Sequence, residues 1–364
     1  MPSPYLKNID WFLTASVFFL ATIGLVSLWS LSIETYTLFY KQLLWLVLGL
    51  IFFGIVSFFD YRVFKNYGGT ILGLYFISVL SLILLIILGI KTRGVTGWFQ
   101  LWGVAVQPVE FVKIILIVLL AKYFSKRHVE IYQIRHIIIS GLYVLLPTAL
   151  VLLQPDLGSA MILIILWIAI TLFSGIKIKH FLSILVIFSL LGVLNWTTIL
   201  KPYQKERIIS FVNPYADPKG AGYNIIQSLI AVGSGGVAGK GIGQGPQSHL
   251  LFLPEAETDF IFAAFAEEWG FLGNILLIAL FLVLLLRMLK IGKEAENNFA
   301  KLFILGFATL IFSQLLVHIG VNTGLLPITG ITLPFISYGG SSLITLMIGM
   351  GVVQSIKNYS RKEV

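Results

Sequence analysis

The sequence predicts an all-α, polytopic membrane protein of about ten transmembrane helices, with both termini cytoplasmic and a long extracytoplasmic loop between helices 7 and 8. Three observations predict it. The chain of 364 residues is 58% hydrophobic and only 11% charged, against about 25% charged in soluble domains, so a water-facing surface of this size would run short of charge. Stretches free of Asp, Glu, Lys and Arg recur along the chain, and they reach the roughly 20 residues that a helix needs to cross a bilayer. The basic residues behind the net charge of +9 sit in short runs between those stretches, which is the signature of membrane topology and not of a nucleic-acid surface.

Charge-free spans are expected at 11–31, 43–59, 68–90, 137–153, 157–175, 181–200, 269–286 and 302–326. A ninth, 108–124, crosses despite Glu110 and Lys113, and a tenth covers 342–355. The first span has neither a basic leader nor a small-residue cleavage site, so it reads as a retained helix. With the N-terminus inside, the inner segments carry about twice as many Lys and Arg as the outer ones, which fixes the orientation. The whole of 1–364 then forms one membrane domain, and no internal repeat of the transporter kind is present. The loop 201–258 is its main irregularity. Glycines crowd between Gly220 and Gly245, and the amphipathic stretch 222–232 is expected to lie along the membrane interface.

The chain has no cysteine, which excludes disulfides, thiol nucleophiles and Cys-ligated metal clusters. Residues 233–245 read GSGGVAGKGIGQG. The Walker pattern fails, because Ser234 stands where its first Gly belongs and Gly241 follows Lys240 where Ser or Thr is required. Backbone amides of such a run can still face an anion, with Lys240 adding charge, and a plain flexible turn is an equal reading.

Residues 253–273, LPEAETDFIFAAFAEEWGFLG, bring Glu255, Glu257 and Asp259 to the start of an apolar helix, with Glu267 and Glu268 about two turns deeper. Thr258 or Asp259 would serve as an ordinary N-cap. A cap does not require so many carboxylates, and ionisable groups at membrane depth cost about 2.5–3.5 kcal/mol, so a functional site is expected here. Glu110 and Lys113 lie three apart, on one helix face, as an intramembrane pair that is either structural or beside an extracytoplasmic cavity. Asp156, in the turn Gln154-Pro155-Asp156, is placed to cap the next helix, and His318 is expected to be a hydrogen-bonded bundle residue. No histidine cluster has zinc-ligand spacing.

The motifs occur in a fixed order: Gln107-Pro108-Val109-Glu110 with Lys113; Gln154-Pro155-Asp156-Leu157-Gly158-Ser159; Gly222-Tyr223-Asn224 with Gln227-Ser228; Gly235-Gly236 through Gly239-Lys240-Gly241; Leu253-Pro254-Glu255 with Thr258-Asp259-Phe260; and Thr329-Gly330 with 333–342, LPFISYGGSS. In these the chain resembles the SEDS family (shape, elongation, division and sporulation), the RodA/FtsW/SpoVE proteins of bacterial cell-wall synthesis, and its short tails are most like RodA. It departs from the family at 93–98, RGVTGW, where basic residues usually precede the tryptophan. Arg93 is therefore left out of the expected site.

The resemblance implies a peptidoglycan glycosyltransferase that polymerises lipid II at the outer face of the cytoplasmic membrane, with undecaprenyl pyrophosphate as leaving group. It implies Asp259 as the catalytic base, and Glu110, Lys113, Gln227, Lys240, Glu255, Thr258, Ser337 and Ser341 as substrate-binding residues. The implied partners are the lipid-linked glycan strand and a class B penicillin-binding protein that crosslinks it. Inverting transfer needs one base on the acceptor hydroxyl and positive charge on the leaving pyrophosphate, so one carboxylate and several cations suffice. Lys113, Lys240, Arg207 and Arg93 are the cations on the outer half, and a divalent ion, Mg²⁺ or Mn²⁺, shared with Asp259 is left open. The rival reading is a lipid II flippase, which should line the inner half of the bundle with charge. Here the membrane-depth charges fall toward the outer half.

Overall fold

The computed structural model describes residues 9–32, 36–92, 95–101, 104–126, 134–176, 179, 211–220 and 222–360. The expected span 181–200, Arg93 and Arg207 lie outside the described residues. The helices are α1 (Trp11–Leu31), α2 (Thr37–Phe58), α3 (Arg62–Asn66), α4 (Gly68–Leu88), α5 (Pro108–Ser125), α6 (Ile134–Leu153) and α7 (Leu157–Phe173) in the first part of the chain. They continue as α8 (Tyr223–Ser234), α9 (Pro246–His249), α10 (Ile261–Glu294), α11 (Asn298–Asn322) and α12 (Gly340–Ser360).

Among the described residues, 7 helices are long and apolar enough to cross a membrane, namely α1, α2, α4, α6, α10, α11 and α12. This is a multi-pass membrane protein. Helix α7 is apolar but has 17 residues, and α5 carries Glu110, Lys113 and Lys122. Helix α12 lies along α2, α1 along α10, and α11 packs between α10, α5 and α7. A stacked ladder of Phe299, Phe303 and Phe307 runs down α11 at the centre.

The all-α expectation needs one correction. Residues 90–106 form a three-stranded antiparallel sheet, β1 (Ile90–Thr92), β2 (Val95–Leu101) and β3 (Val104–Val106), in the order β1-β2-β3. The cause is local: Val95, Thr96, Trp98 and Phe99 are strand formers, and only two residues separate β1 from β2 and β2 from β3. The Thr96 amide donates to the Gln154 carbonyl, tying the sheet to the turn before α7.

A second correction concerns the expected span 269–286. Helix α10 begins at Ile261 and runs to Glu294, and it is broken at Gly270, whose φ of 65° and ψ of −163° only glycine tolerates. A break leaves carbonyls of the first half and amides of the second without partners. The glycine run satisfies both: Lys240 and Gly241 amides donate to the Glu267 and Glu268 carbonyls at 3.0 Å, and the Phe271 and Leu272 amides donate to Gly236 and Val237 at 2.9 and 3.1 Å. The same run is held by the two buried carboxylates. Glu267 accepts from the Gln247 and Ser248 amides and the Ser248 hydroxyl, and Glu268 binds Ser30, the Gly243 amide and His249. The glutamates that stood out as membrane-depth charges therefore organise a loop around a broken helix.

At the end of the bundle where the Lys- and Arg-rich segments gather, Asp10 caps α1 by accepting from the Leu13 amide, and it also receives Arg287 of α10 and Lys357 of α12, each at 2.6 Å. Burial alone would raise this carboxyl. The hydrogen bonds from Arg287, Lys357 and Leu13 outweigh it and lower the group from 3.8 to about 2.

Candidate active site

Asp259 lies in the turn that precedes α10. The Thr258 and Phe260 amides both donate to the Glu255 carbonyl, at 3.1 Å each, and the Thr258 hydroxyl faces the Glu255 carboxylate at 3.3 Å. Glu255 adopts a φ of 55°, a left-handed conformation that costs a non-glycine residue about 1–3 kcal/mol and persists only where surrounding contacts enforce it.

Those contacts come from the apolar segment between α11 and α12. The Ser337 hydroxyl donates to the Thr258 carbonyl at 2.8 Å, and the Tyr338 amide donates to the Glu257 carbonyl at 2.9 Å. Gln42 of α2 bridges the Ser337 carbonyl and the Gly339 amide from the other side. Phe335 in this segment has a φ of 66°, so both strands of the contact carry a strained residue.

The ordinary alternative for this segment, an N-cap at Thr258 or Asp259, is not what the structure has. The capping residue is Phe260, which makes no side-chain cap bond. The cap is supplied from α11: Asn322 Oδ1 accepts from the Ala263 amide at 3.0 Å, while its Nδ2 donates to the Asp259 carbonyl at 3.0 Å and to the His318 carbonyl at 2.8 Å. Asn322 is 0% exposed. It is a residue the sequence reading missed, and its signal was present: a polar side chain on the His318 side of an otherwise apolar span. The Asp259 carboxylate faces Gly330, where a Cβ would stand 3.9 Å from Oδ2.

Gly330 follows Thr329, whose carbonyl lies so close to Gly158 that no side chain fits at that position. This brings the first turn of α7 against the segment facing Asp259. Asp156 caps α7, accepting from the Ser159 amide at 2.9 Å, as the sequence suggested. Burial pushes the Asp156 carboxyl up, against the hydrogen bonds from Ser159 and the nearby charge of Lys113. Beside it, Lys113 Nζ and Glu110 Oε1 pair at 2.7 Å, with residues 1% and 6% exposed. The Gln107 amide at the head of α5 donates to the Ser341 hydroxyl at 2.9 Å, joining α5 to α12.

The structure therefore brings Asp259, Thr258, Glu255 and Ser337 into one turn, with Glu110, Lys113 and Ser341 grouped behind the segment that faces it. Lys240 is not in that group. Its amide is bonded to Glu267, eight residues along α10 from Asp259, or roughly 12 Å of helical rise, and its side chain is exposed. Gln227 is on α8, one residue from Ser228, whose hydroxyl donates to the Asn322 carbonyl. Three of the amides proposed to cradle an anion are used within the fold: those of Lys240 and Gly241 by helix carbonyls, and that of Gly243 by the Glu268 carboxylate. His318 Nδ1 donates to the Ile331 carbonyl over 2.7 Å, as a bundle residue. Among the described residues no group of three or more His, Asp or Glu side chains converges as a metal site.

Comparison with known proteins identifies the arrangement. Residues 10–362 match the family model for FtsW, RodA and SpoVE, described as "Cell cycle protein". Stage V sporulation protein E of Bacillus subtilis (strain 168) is 35% identical over 97% of this chain and 98% of its own length. The peptidoglycan glycosyltransferase MrdB of Escherichia coli (strain K12) is 34% identical over 92% of this chain and 89% of its own. A solved chain from work on "structural coordination of polymerization and crosslinking by a peptidoglycan synthase complex" matches with a TM-score of 0.83 and 32% identity, covering 98% of this chain and 99% of that one.

Proposed function

The chain belongs to the FtsW/RodA/SpoVE family of cell cycle proteins, and from that premise we propose that it is a peptidoglycan glycosyltransferase that polymerises lipid II, with Asp259 as general base. Relatives along nearly the whole chain are named peptidoglycan glycosyltransferase, which supports the activity. The observation that supports the residue assignment is the placement of Asp259: its backbone is fixed by Asn322, and its carboxylate faces Gly330.

In the reaction the 4-hydroxyl of the acceptor sugar loses its proton to Asp259 as its oxygen attacks C1 of the donor, and the C1–O bond to the lipid pyrophosphate breaks with inversion. The pyrophosphate leaves without needing a proton but requires positive charge. Lys113 is the cation proposed for this role, and its pairing with Glu110 gives it a fixed place in the bundle. Among the described residues no group of three His, Asp or Glu side chains is placed to hold Mg²⁺ or Mn²⁺. Thr258, Glu255 and Ser337 hold the turn that carries Asp259.

The topology that goes with this reading has both termini cytoplasmic, α5, α7 and the segment 181–200 as the remaining spans, and 201–258 outside. Asp259 then stands at the outer face, where lipid II is presented. A class B penicillin-binding protein is the proposed partner, supported by the likeness to a chain studied in a peptidoglycan synthase complex. The test is to supply the purified chain with lipid II, with and without a candidate transpeptidase. Wild type should make glycan polymer, and Asp259→Asn should insert and bind the partner normally yet make none. Substantial polymer from pure Asp259→Asn protein would remove the base assignment.

A further inference from the structure

A cavity of about 350 Å³ opens between the ends of α3 and α5 and the start of α11, at the opposite side of the protein from the Asp259 turn in the proposed topology, lined by Lys65, Asn66, Ser125, Lys126, Asn298 and Phe299 among others. Its volume is at the small end of ligand pockets. Both lysines are exposed into it, and among the described residues neither has a carboxylate partner. The neighbouring acid, Glu296, is taken by Arg62 at 3.1 Å. A third cation stands close by. Lys122 lies one helical turn before Lys126 and is only 7% exposed, and its ammonium reaches the Phe64 carbonyl, directly before Lys65, over 3.4 Å. A buried ammonium held only by a carbonyl is costly, and an anion next to it relieves that cost.

The remaining wall has the same sign. Helix α11 starts here, and its cap Asn297 accepts from the Ala300 amide, so the amides of Asn298 and Phe299, which have no partner within the helix, are left at the cavity. Helix N-termini favour anions. Asn298 and Asn66 add donors suited to phosphate oxygens.

We propose that this cavity binds a phosphate group, carried by an anionic phospholipid of the cytoplasmic leaflet. The lipid source is favoured over a soluble phosphate because the cavity sits at the end of membrane-length helices, where basic pockets between helices meet anionic head groups. The function would be to anchor the α3–α5–α11 junction in a membrane of the right composition, independently of the lipid II reaction.

The experiment uses the full chain in neutral detergent, with thermal unfolding and native mass spectrometry as readouts. Wild type should gain thermal stability and retain adducts with phosphatidylglycerol but not with phosphatidylcholine. The Lys65→Gln/Lys126→Gln double variant should bind phosphatidylglycerol about thirtyfold more weakly, taking each lysine at its usual contribution near an anionic surface. Asn298→Asp is the second variant: an acidic residue in the first turn suits the helix, so folding is kept, while the added charge repels the anion. The exposed pair Lys290→Gln/Lys293→Gln, outside the cavity, should change nothing. Stabilisation of wild type by inorganic phosphate alone, lost in the same variants, would keep the site and assign it to soluble phosphates. Equal phosphatidylglycerol binding by wild type, Lys65→Gln/Lys126→Gln and Asn298→Asp would overturn the proposal, as would an equal loss in Lys290→Gln/Lys293→Gln, which would reduce it to general surface charge.

Discussion

Asn322→Ala tests whether the site is built as described, because one amide side chain both caps α10 and holds the backbone of Asp259. The substitution leaves the buried Ala263 amide without an acceptor, which costs about 1–3 kcal/mol, and it removes a helix cap worth about 0.5–2 kcal/mol. These terms overlap, so a destabilisation of about 3 kcal/mol is expected, or a fall in Tm on the order of 4 °C for a chain of this length. The Asp259 carbonyl loses its donor at the same time. A base displaced by roughly 1 Å loses on the order of a hundredfold in rate, so lipid II polymerisation, measured well below the new Tm, should fall by about that factor. Ser228→Ala separates the two effects. It removes a hydrogen bond to the Asn322 carbonyl and should cost about 1 kcal/mol with the rate unchanged, because the side-chain contacts of Asn322 survive. An Asn322→Ala protein that melts within a degree of wild type and polymerises at full rate would refute the reasoning.

Three further outcomes follow from buried groups. Single changes at Glu110 or Lys113 leave an uncompensated charge and should each destabilise by about 3–5 kcal/mol; Glu110→Gln with Lys113→Met should recover folding in size-exclusion and melting assays, and recovered folding without polymer would assign Lys113 to the pyrophosphate. Asp10 titrates at about 2 in the folded chain against 3.8 when free, so its contribution, roughly 2 kcal/mol, is complete above pH ~4 and lost as pH falls toward ~2; the Tm gap between wild type and Asp10→Asn should close over that window and stay constant above it. Gly270→Ala introduces a side chain where the φ is 65° and the Ala238–Gly239 backbone fills the space, and should cost at least about 3 kcal/mol in strain and overlap, seen as loss of monodisperse protein or a large fall in Tm.

Most of the bundle was legible because hydrophobic length is a one-dimensional signal. Helices α1, α4, α6 and α7 begin or end within a few residues of their expected bounds, and the cap at Asp156 follows from the residue type before an apolar run. The sheet at 90–106 was passed over because its alternation is short and lies between long apolar runs that dominate any window. The break at Gly270 was hidden for a related reason. Residues 261–286 read as one apolar run with two acids in it, and a glycine at 270 is compatible with an unbroken helix.

The roles within the site were harder to read, and the cause is the kind of contact that builds it. Asp259, Glu267 and Glu268 are all carboxylates near the head of one apolar helix, so the sequence treats them alike. What separates them is which backbone amides are in reach. The Gln247 and Ser248 amides reach Glu267 and the Gly243 amide reaches Glu268, so both carboxylates hold the 236–249 segment against the broken helix. Asp259 is placed differently, because the cap of α10 comes from Asn322, sixty-three residues along the chain, which also holds the Asp259 carbonyl from a neighbouring helix. The position of this carboxylate is therefore set by a contact that exists only in the folded bundle, where α11 is brought alongside the start of α10, and no local pattern in the sequence can show it.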